Sequence, residues 1–319
     1  MDAHNVSFQE AEPEGDLLEI IASLSRPQKF LSPKFFYDQR GSELFDQITE
    51  QTEYYPTRTE LGIMQDNIAA IKKAIGADAS LIEFGSGSSY KTRFLLEHLE
   101  DLAVYVPVDI SEDFLIATAK DLAKDFPNLE ILPVAADFTR EFDLPQPKRM
   151  PARNVVYFPG STIGNFMPDA ALELLKVMRA EAKDGGALLI GVDLKKDRAP
   201  LEAAYNDAAG ITAEFNLNML VRINREFDAN FDVDAFSHRA IYNEVLGRIE
   251  MHLISDKAQS VSIGGERFDF DKGEYILSEC SHKYAPVEFG AMVERAGFRV
   301  SEVWVDKDRL FSVQFCEAV

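Results

Sequence analysis

The residues 81–99, LIEFGSGSSYKTRFLLEHL, hold the first side chains that could do chemistry. A β-like run, residues 81–84, meets a glycine–serine loop, and an amphipathic helix follows. Gly85 to Thr92 is one residue away from the phosphate-loop pattern G-x-x-x-x-G-K-[ST]. That loop needs glycine just before its lysine, so that backbone N–H groups can wrap phosphates. Here Tyr90 precedes Lys91, and Glu83 at the start of the loop would repel polyphosphate. The run LLIGVD, ending in Asp193, imitates a Walker B strand only in the way that many apolar strands ending in Asp do. The dinucleotide pattern G-x-G-x-x-G keeps Gly85 and Gly87 but fails at Tyr90.

A cationic ligand with an amino-acid tail, such as S-adenosylmethionine, fits better. Glycine lets backbone approach it closely, and the loop offers Ser86 and Lys91 behind the acid Glu83. The next strand-like run ends in Asp109, whose carboxylate can accept from both ribose hydroxyls. The third ends in AADF, where Asp137 can accept from an adenine amino group and Phe138 can pack on the ring. Each acid alone reads as a solvated loop carboxylate. Three acids at the carboxyl ends of consecutive strands point to a ligand, because ligands bind at that edge. The fourth run, YFPGSTIGNF, adds Asn165 in a loop punctuated by Pro159, Gly160 and Gly164. Alone, Asn165 reads as a turn residue.

Strands must hold these groups, and the middle of the chain supplies them. SLIEF, LAVYVPVDIS, LEILPVAADF, RNVVYFPG and GALLIGVDL alternate with helical patterns near 92–99, 114–125 and 169–183. Such alternation predicts a doubly wound parallel α/β sheet. FRVSEVWVDKDRLFSVQFCEAV reads as a hairpin about DKDR. A parallel sheet finished by a hairpin is the outline of class I methyltransferases. Residues 197–285 are far longer than the roughly 2–6 residues of an ordinary αβ connection. They read as helical over 201–230 and strand-like over 240–255 and 266–278. The expected division is a ligand-binding sheet domain of 60–196 and 286–319, and a smaller mixed α+β substrate-binding domain of 1–59 and 197–285.

Composition narrows the setting. A hydrophobic share of 46% over 319 residues supports a sizeable core. The net charge of −21 argues against nucleic acid and anionic membranes as partners. Two cysteines, Cys280 and Cys316, are too few for a disulfide framework or a Cys-rich zinc site. His4, His98, His238, His252 and His282 show no close-spaced ligand pair, so no metal is expected. G-x-S-x-G is missing at both glycine–serine loops, which disfavours an α/β-hydrolase. The acidic first residues are the reverse of a secretion signal, and no apolar run has membrane-spanning length. A soluble, cytoplasmic protein is expected.

The stretches FYDQRGSELFDQITEQTEYYPTRTE, IEFGSGSSYKTRFLL, YFPGSTIGNF, LLIGVDLKKD, AYNDAAGITAEFNLNML and SECSHKY, taken in order, resemble the histidine Nα-methyltransferases of ergothioneine biosynthesis. The resemblance implies a two-domain monomer that binds S-adenosylmethionine on the sheet and trimethylates the α-amine of L-histidine. By position, Asn165 and Tyr205 would hold the amino and carboxylate end of histidine. Tyr37 and Tyr55 would line its pocket, with Tyr54 as the other register, and Met251 would pack nearby. Glu279 and Ser281 would hydrogen-bond the imidazole, whose two nitrogens a carboxylate and a hydroxyl can satisfy. Alone, Glu-x-Ser fits mere strand alternation. Cys280 between them would point into the core, and His282 reads as surface or structural. Two other readings stay open. One is a related methyltransferase acting on another aromatic amino acid or amine. The other is a non-catalytic binding protein on this scaffold.

Overall fold

Parallel pairing of buried strands builds the central sheet. β1 (Ala79–Phe84), β2 (Val104–Asp109), β4 (Arg153–Phe158) and β5 (Ala187–Asp193) lie side by side, with a two-residue β3 (Val134–Ala135) beyond β2. A C-terminal hairpin, β11 (Phe298–Val305) and β12 (Phe311–Ala318), completes the order β11-β12-β5-β4-β1-β2-β3. β12 runs antiparallel to both β5 and β11. This is the class I methyltransferase arrangement. The strand order reverses between β1 and β4, where the carboxyl ends of doubly wound sheets take their ligands. The third strand is shorter than its sequence suggests, because most of 130–138 is only partly buried.

The computed structural model describes residues 13–86 and 90–319 and divides into two units. The sheet unit comprises Tyr55–Asp197, Glu244–Arg248 and Ser281–Val319. Every residue of β1 and β5 is buried, as expected of strands covered on both faces. One face packs on α6 (Pro168–Ala182) and α9 (Pro286–Arg295) through Leu172, Leu175, Met178, Phe289 and Val293. The other packs on α3 (Tyr55–Ile75) and α4 (Tyr90–His98) through Ile63, Met64, Ile71, Leu95 and Leu96. α5 (Glu112–Asp125) adds Leu122 to this second face.

The second unit comprises the described residues up to Tyr54, with Arg198–Asn243 and Ile249–Cys280. It holds α1 (Pro13–Leu24), a 3-10 turn at Pro33–Phe36 and α2 (Gln39–Glu50), then α7 (Arg198–Ala204) and α8 (Ile211–Phe227). β6 (Phe236–Asn243), β7 (Arg248–Ser255) and β10 (Tyr275–His282) form a sheet of order β10-β7-β6. β8 (Gln259–Ile263) and β9 (Glu266–Phe270) form a separate hairpin. β7 and β10 each cross the unit boundary near one end. The helical run expected over 201–230 breaks into α7 and α8. The Asp207 carboxylate accepts from the N–H groups of Ile211 and Thr212, both at 2.8 Å, and so starts a new helix.

Asp38 starts α2 in the same way, accepting from the Gly41 N–H at 2.8 Å. The same carboxylate takes Asn218 at 2.8 Å and Arg225 at 2.8 Å, which ties α2 to α8. This seats Tyr37 between the buried Phe36 and the cap. A Cβ at Gly41 would lie 1.7 Å from the Phe36 carbonyl oxygen. Gly41→Ala is therefore expected to destabilise by about 2 kcal/mol or more. Thermal unfolding checks this, and an unchanged midpoint would show that the turn yields.

Candidate active site

Side chains in each unit group in ways that could do chemistry. In the sheet unit, Gly85 follows β1 with φ +70°, a conformation that suits glycine. Its N–H donates to the Val108 carbonyl at 2.8 Å, and the buried Ser86 N–H reaches the same oxygen at 3.3 Å. This bends the loop over the end of β2. Gly87, Ser88 and Ser89 lie outside the described residues, as does His4. Asp109 ends β2, half-buried, with Oδ1 accepting from the Ser111 N–H at 3.0 Å. Its other oxygen has no partner among the described residues. Asp137 is exposed and accepts from the Thr139 N–H at 3.0 Å and hydroxyl at 2.6 Å. Phe138 packs on Phe84 and Phe158, with centroids 5.6 and 6.0 Å away. A Cβ on Gly85 would touch the Phe138 ring at 3.6 Å. Asn165 ends a 3-10 turn, Thr162–Asn165, and its half-buried amide has no partner among the described residues.

Lys91 and Glu83 differ from expectation. The Lys91 ammonium lies 2.5 Å from Glu60 on α3; Glu60 is buried and Lys91 partly so. Glu60 also accepts from the Gly160 N–H at 2.9 and 3.1 Å. A buried cation needs such a partner, so Lys91 braces the two loops and its charge is already matched. Glu83 does not face the loop at all. Alternation along β1 turns it to the α3–α4 face, fully buried, where it accepts from Thr92 at 2.7 and 2.9 Å and from Tyr105 at 2.5 Å. It anchors α4 to the sheet and leaves the ligand edge to Asp109 and Asp137.

A second buried cluster surrounds Asp193 at the end of β5. Its oxygens accept from the Tyr55 hydroxyl, both at 2.8 Å, and pair with Lys283 at 2.8 Å and with Lys196. Burial alone would raise Asp193, but Lys283 and then Lys196 outweigh it and hold the carboxyl below its ordinary value. Burial lowers Lys196 to about 8, with Lys283 adding repulsion. The Tyr55 hydroxyl thus belongs to this cluster. Ser281 is committed in part, since its oxygen accepts from Lys283 at 2.8 Å. Beside them, the buried His282 meets the Gly164 carbonyl through Nδ1 at 3.0 Å, a structural role.

The second unit holds an aromatic cluster. Tyr37 lies 5.9 Å from both Phe45 and Phe215, Phe45 lies 6.4 Å from Tyr54, and Tyr54 lies 6.1 Å from Tyr205. Tyr54, not Tyr55, is therefore the member of the tyrosine pair that joins Tyr37 and Tyr205. Tyr37 is 47% exposed, yet desolvation, then Glu279 and Tyr205, push its phenol well above its ordinary value. It stays a donor. Glu279, Cys280 and Met251 are buried on the paired strands β10 and β7. Behind them runs a polar chain that the sequence reading missed. Ser278 donates to Asn216 Oδ1 at 2.6 Å, Asn216 meets His238 Nδ1 at 2.8 Å, and His238 Nε2 reaches the Tyr205 carbonyl at 2.8 Å. The carbonyl makes Nε2 the donor and leaves Nδ1 to accept. Among the described residues, no group of three or more His, Cys, Asp or Glu could hold a metal. Nor is any helix there long and apolar enough to cross a membrane.

The family described as "Histidine-specific methyltransferase, SAM-dependent" matches residues 16–318. A histidine N-alpha-methyltransferase of Mycobacterium tuberculosis is 42% identical, over 91% of this chain and 90% of the relative. Its namesake in Mycolicibacterium smegmatis is also 42% identical, over 90% of each. Ergothioneine biosynthesis protein 1 of Schizosaccharomyces pombe is 29% identical over 88% of this chain, which spans 38% of that longer protein.

Glu83 carries a pH signature. Burial raises its carboxyl to about 7, against the lowering effect of its bonds to Tyr105 and Thr92. The folded protein then keeps a proton that the unfolded chain releases near the ordinary 4.5. Stability contributed by this group falls as pH rises from about 4.5 to about 7. Glu83→Gln keeps an acceptor without the charge. Its unfolding midpoint relative to the parent is expected to rise between pH 5 and pH 8, by up to about 3 kcal/mol in stability. A difference independent of pH would reject the buried-acid account.

Proposed function

This chain belongs to the family of histidine-specific, S-adenosylmethionine-dependent methyltransferases, and on that premise we propose that it trimethylates the α-amine of L-histidine. The product is histidine betaine, and the reaction opens ergothioneine biosynthesis. The observation that carries this reading is the family match, which runs through both units. The site residues are in keeping with it.

The residues at the sheet edge fit S-adenosylmethionine. The open oxygen of Asp109 suits ribose hydroxyls, Phe138 offers a ring face, Asp137 an acceptor, and Gly85 with Ser86 close backbone approach. The cofactor supplies a methyl group already attached to a good leaving group. The chain's task is then alignment, with the amine neutral and its lone pair in line. Asn165 and Tyr205 are proposed to orient the amino and carboxylate groups of histidine. Its half-buried amide, without a partner among the described residues, supports the part given to Asn165, because such an amide calls for a polar partner. Glu279 and Ser281 are proposed for the imidazole, and Met251 for packing. The rings of Tyr37, Tyr54 and Tyr205 offer π faces to the fixed cation that the third methylation leaves. We assign the pocket-lining role to Tyr54 in place of Tyr55.

Mass spectrometry of the protein with S-adenosylmethionine and each free aromatic amino acid tests the reading. Three methyl groups on histidine alone are expected. Methylation of tryptophan or tyrosine instead would keep the reaction and overturn the assignment of Glu279 and Ser281. The tyrosine assignment is tested separately. Tyr54→Phe is expected to raise the KM for histidine about tenfold, the worth of one lost hydrogen bond to substrate. Tyr55→Phe should instead lower the midpoint, because it withdraws a donor from a buried carboxylate. The reverse pattern would restore Tyr55 to the pocket.

A further inference from the structure

We propose that His238 is a positioning residue for substrate: its imidazole, held as the Nε2–H tautomer, fixes Tyr205 where it meets the amino-acid end of histidine. This rests on the reading of Tyr205 as a substrate contact. Tyr205 stands just past α7, where the carbonyls of a helix end lack partners within the helix. Its carbonyl takes a donor from β6 instead, the His238 Nε2 at 2.8 Å. A carbonyl only accepts, so this nitrogen must carry the hydrogen. The same peptide sets the ψ angle of Tyr205, and with it the rotamers open to the ring. The next residue is held too. Asn206 Nδ2 donates to the Ala240 carbonyl at 3.0 Å, and its Oδ1 accepts from the Ala240 N–H at 2.9 Å. The turn is thus laid on β6 by His238 at one peptide and by Asn206 at the side chain that follows.

The tautomer is imposed from behind. Asn216 and Ser278 are fully buried. Asn216 Nδ2 donates to His238 Nδ1 at 2.8 Å and to the His252 carbonyl at 3.2 Å, while its Oδ1 accepts from the Ser278 hydroxyl at 2.6 Å. An amide has two N–H groups and one carbonyl oxygen, so all three are in use. A flipped amide would set Oδ1 against the His252 carbonyl, two acceptors face to face. With the amide so oriented, Nδ1 has to accept and Nε2 has to donate. Burial lowers the imidazole pKa against the raising effects of the Tyr205 carbonyl and Asp207, and His252 adds to the fall. The ring is therefore neutral at pH 7.5, as this chain of bonds requires. All of these residues lie within the second unit.

The test is steady-state kinetics of the whole protein at pH 7.5, with histidine and S-adenosylmethionine varied in turn. Any gap behind α8 costs stability, so the deciding readouts are kinetic. His238→Leu is expected to raise the KM for histidine about tenfold, the worth of one hydrogen bond, and to leave the KM for S-adenosylmethionine within about twofold. Gln places its amide nitrogen where Nε2 stands, and Asn places it where Nδ1 stands. His238→Gln is therefore expected to recover most of the loss and His238→Asn none of it. The effect of His238→Leu should vanish in a Tyr205→Ala background, since a residue that acts through Tyr205 then has nothing left to position. Three results overturn the inference and leave histidine as substrate: an unaltered KM for histidine in His238→Leu, equal recovery by Gln and Asn, or a full tenfold loss added to that of Tyr205→Ala. Tyr205→Ala with the parent's KM overturns the reading of Tyr205 and this inference with it. No methylation of histidine by the parent overturns the proposed function and with it this inference. If the Leu variant does not fold, the Gln and Asn pair is read in the same way.

Discussion

A carboxylate with no access to water must be matched, and much of the sheet unit is arranged around matching Asp193. Its side chain gathers Tyr55 from α3, Lys196 from the following turn and Lys283 from the segment after β10. Its backbone is used as fully. The N–H donates to the Ser161 hydroxyl at 2.9 Å, the carbonyl accepts from Tyr284 at 3.1 Å, and the residue pairs with Phe311 on β12. Removing one partner of such a cluster leaves charge stranded in a medium that solvates it poorly. The segments that meet there carry Asn165 and Ser281, so the geometry of both follows from one electrostatic requirement.

Glu60 repeats the device at smaller scale. Its carboxylate joins α3, the start of α4 and the loop after β4, through Lys91 and the Gly160 N–H. Gly191 on β5 has no Cβ because Glu60 occupies that space, 2.0 Å from where the atom would sit. Ion pairs, rather than apolar contact, therefore hold the loops at the sheet edge. The second unit adds uncharged groups to its Asp38–Arg225 pair. Asn216, Ser278 and His238 form a relay that leaves no donor of the chain unmatched and ends on the backbone of Tyr205.

The sheet and its hairpin were legible because strand and helix periods differ and alternate along the chain. The placement of Asp109 and Asp137 at or just past strand ends was legible because the sequence marks where strands end. Glu83 misled, since an acid one residue before a glycine looks like part of the loop until strand alternation is applied to it. The partners of Lys91 and Tyr55, Glu60 and Asp193, were hidden for a related reason. Polar groups near a site serve either ligand or scaffold, and only distance separates the two uses. Some signals were there to be used. Glu60 shares a helix face with Ile63 and Met64, and Asn216 shares one with Met219, Leu220 and Ile223, so each is a polar residue on an apolar stripe. The partnership of Asp193 with Lys283 joins segments far apart in sequence, and no local pattern announces it.

The order in which the strands are made differs from the order in which they lie. β11 precedes β12 in the chain, yet β12 sits between β11 and β5. During synthesis, β11 leaves the ribosome with no neighbour to pair with, and β5 has waited far longer with one bare edge. That edge is the buried run ALLIGVD, apolar up to Asp193, the kind of strand that recruits other chains when left unpaired. The nascent protein therefore passes through a long interval in which its most hydrophobic strand is half covered. The interval closes only when β12 slots in, which makes the second strand of the hairpin the one that renders the sheet safe.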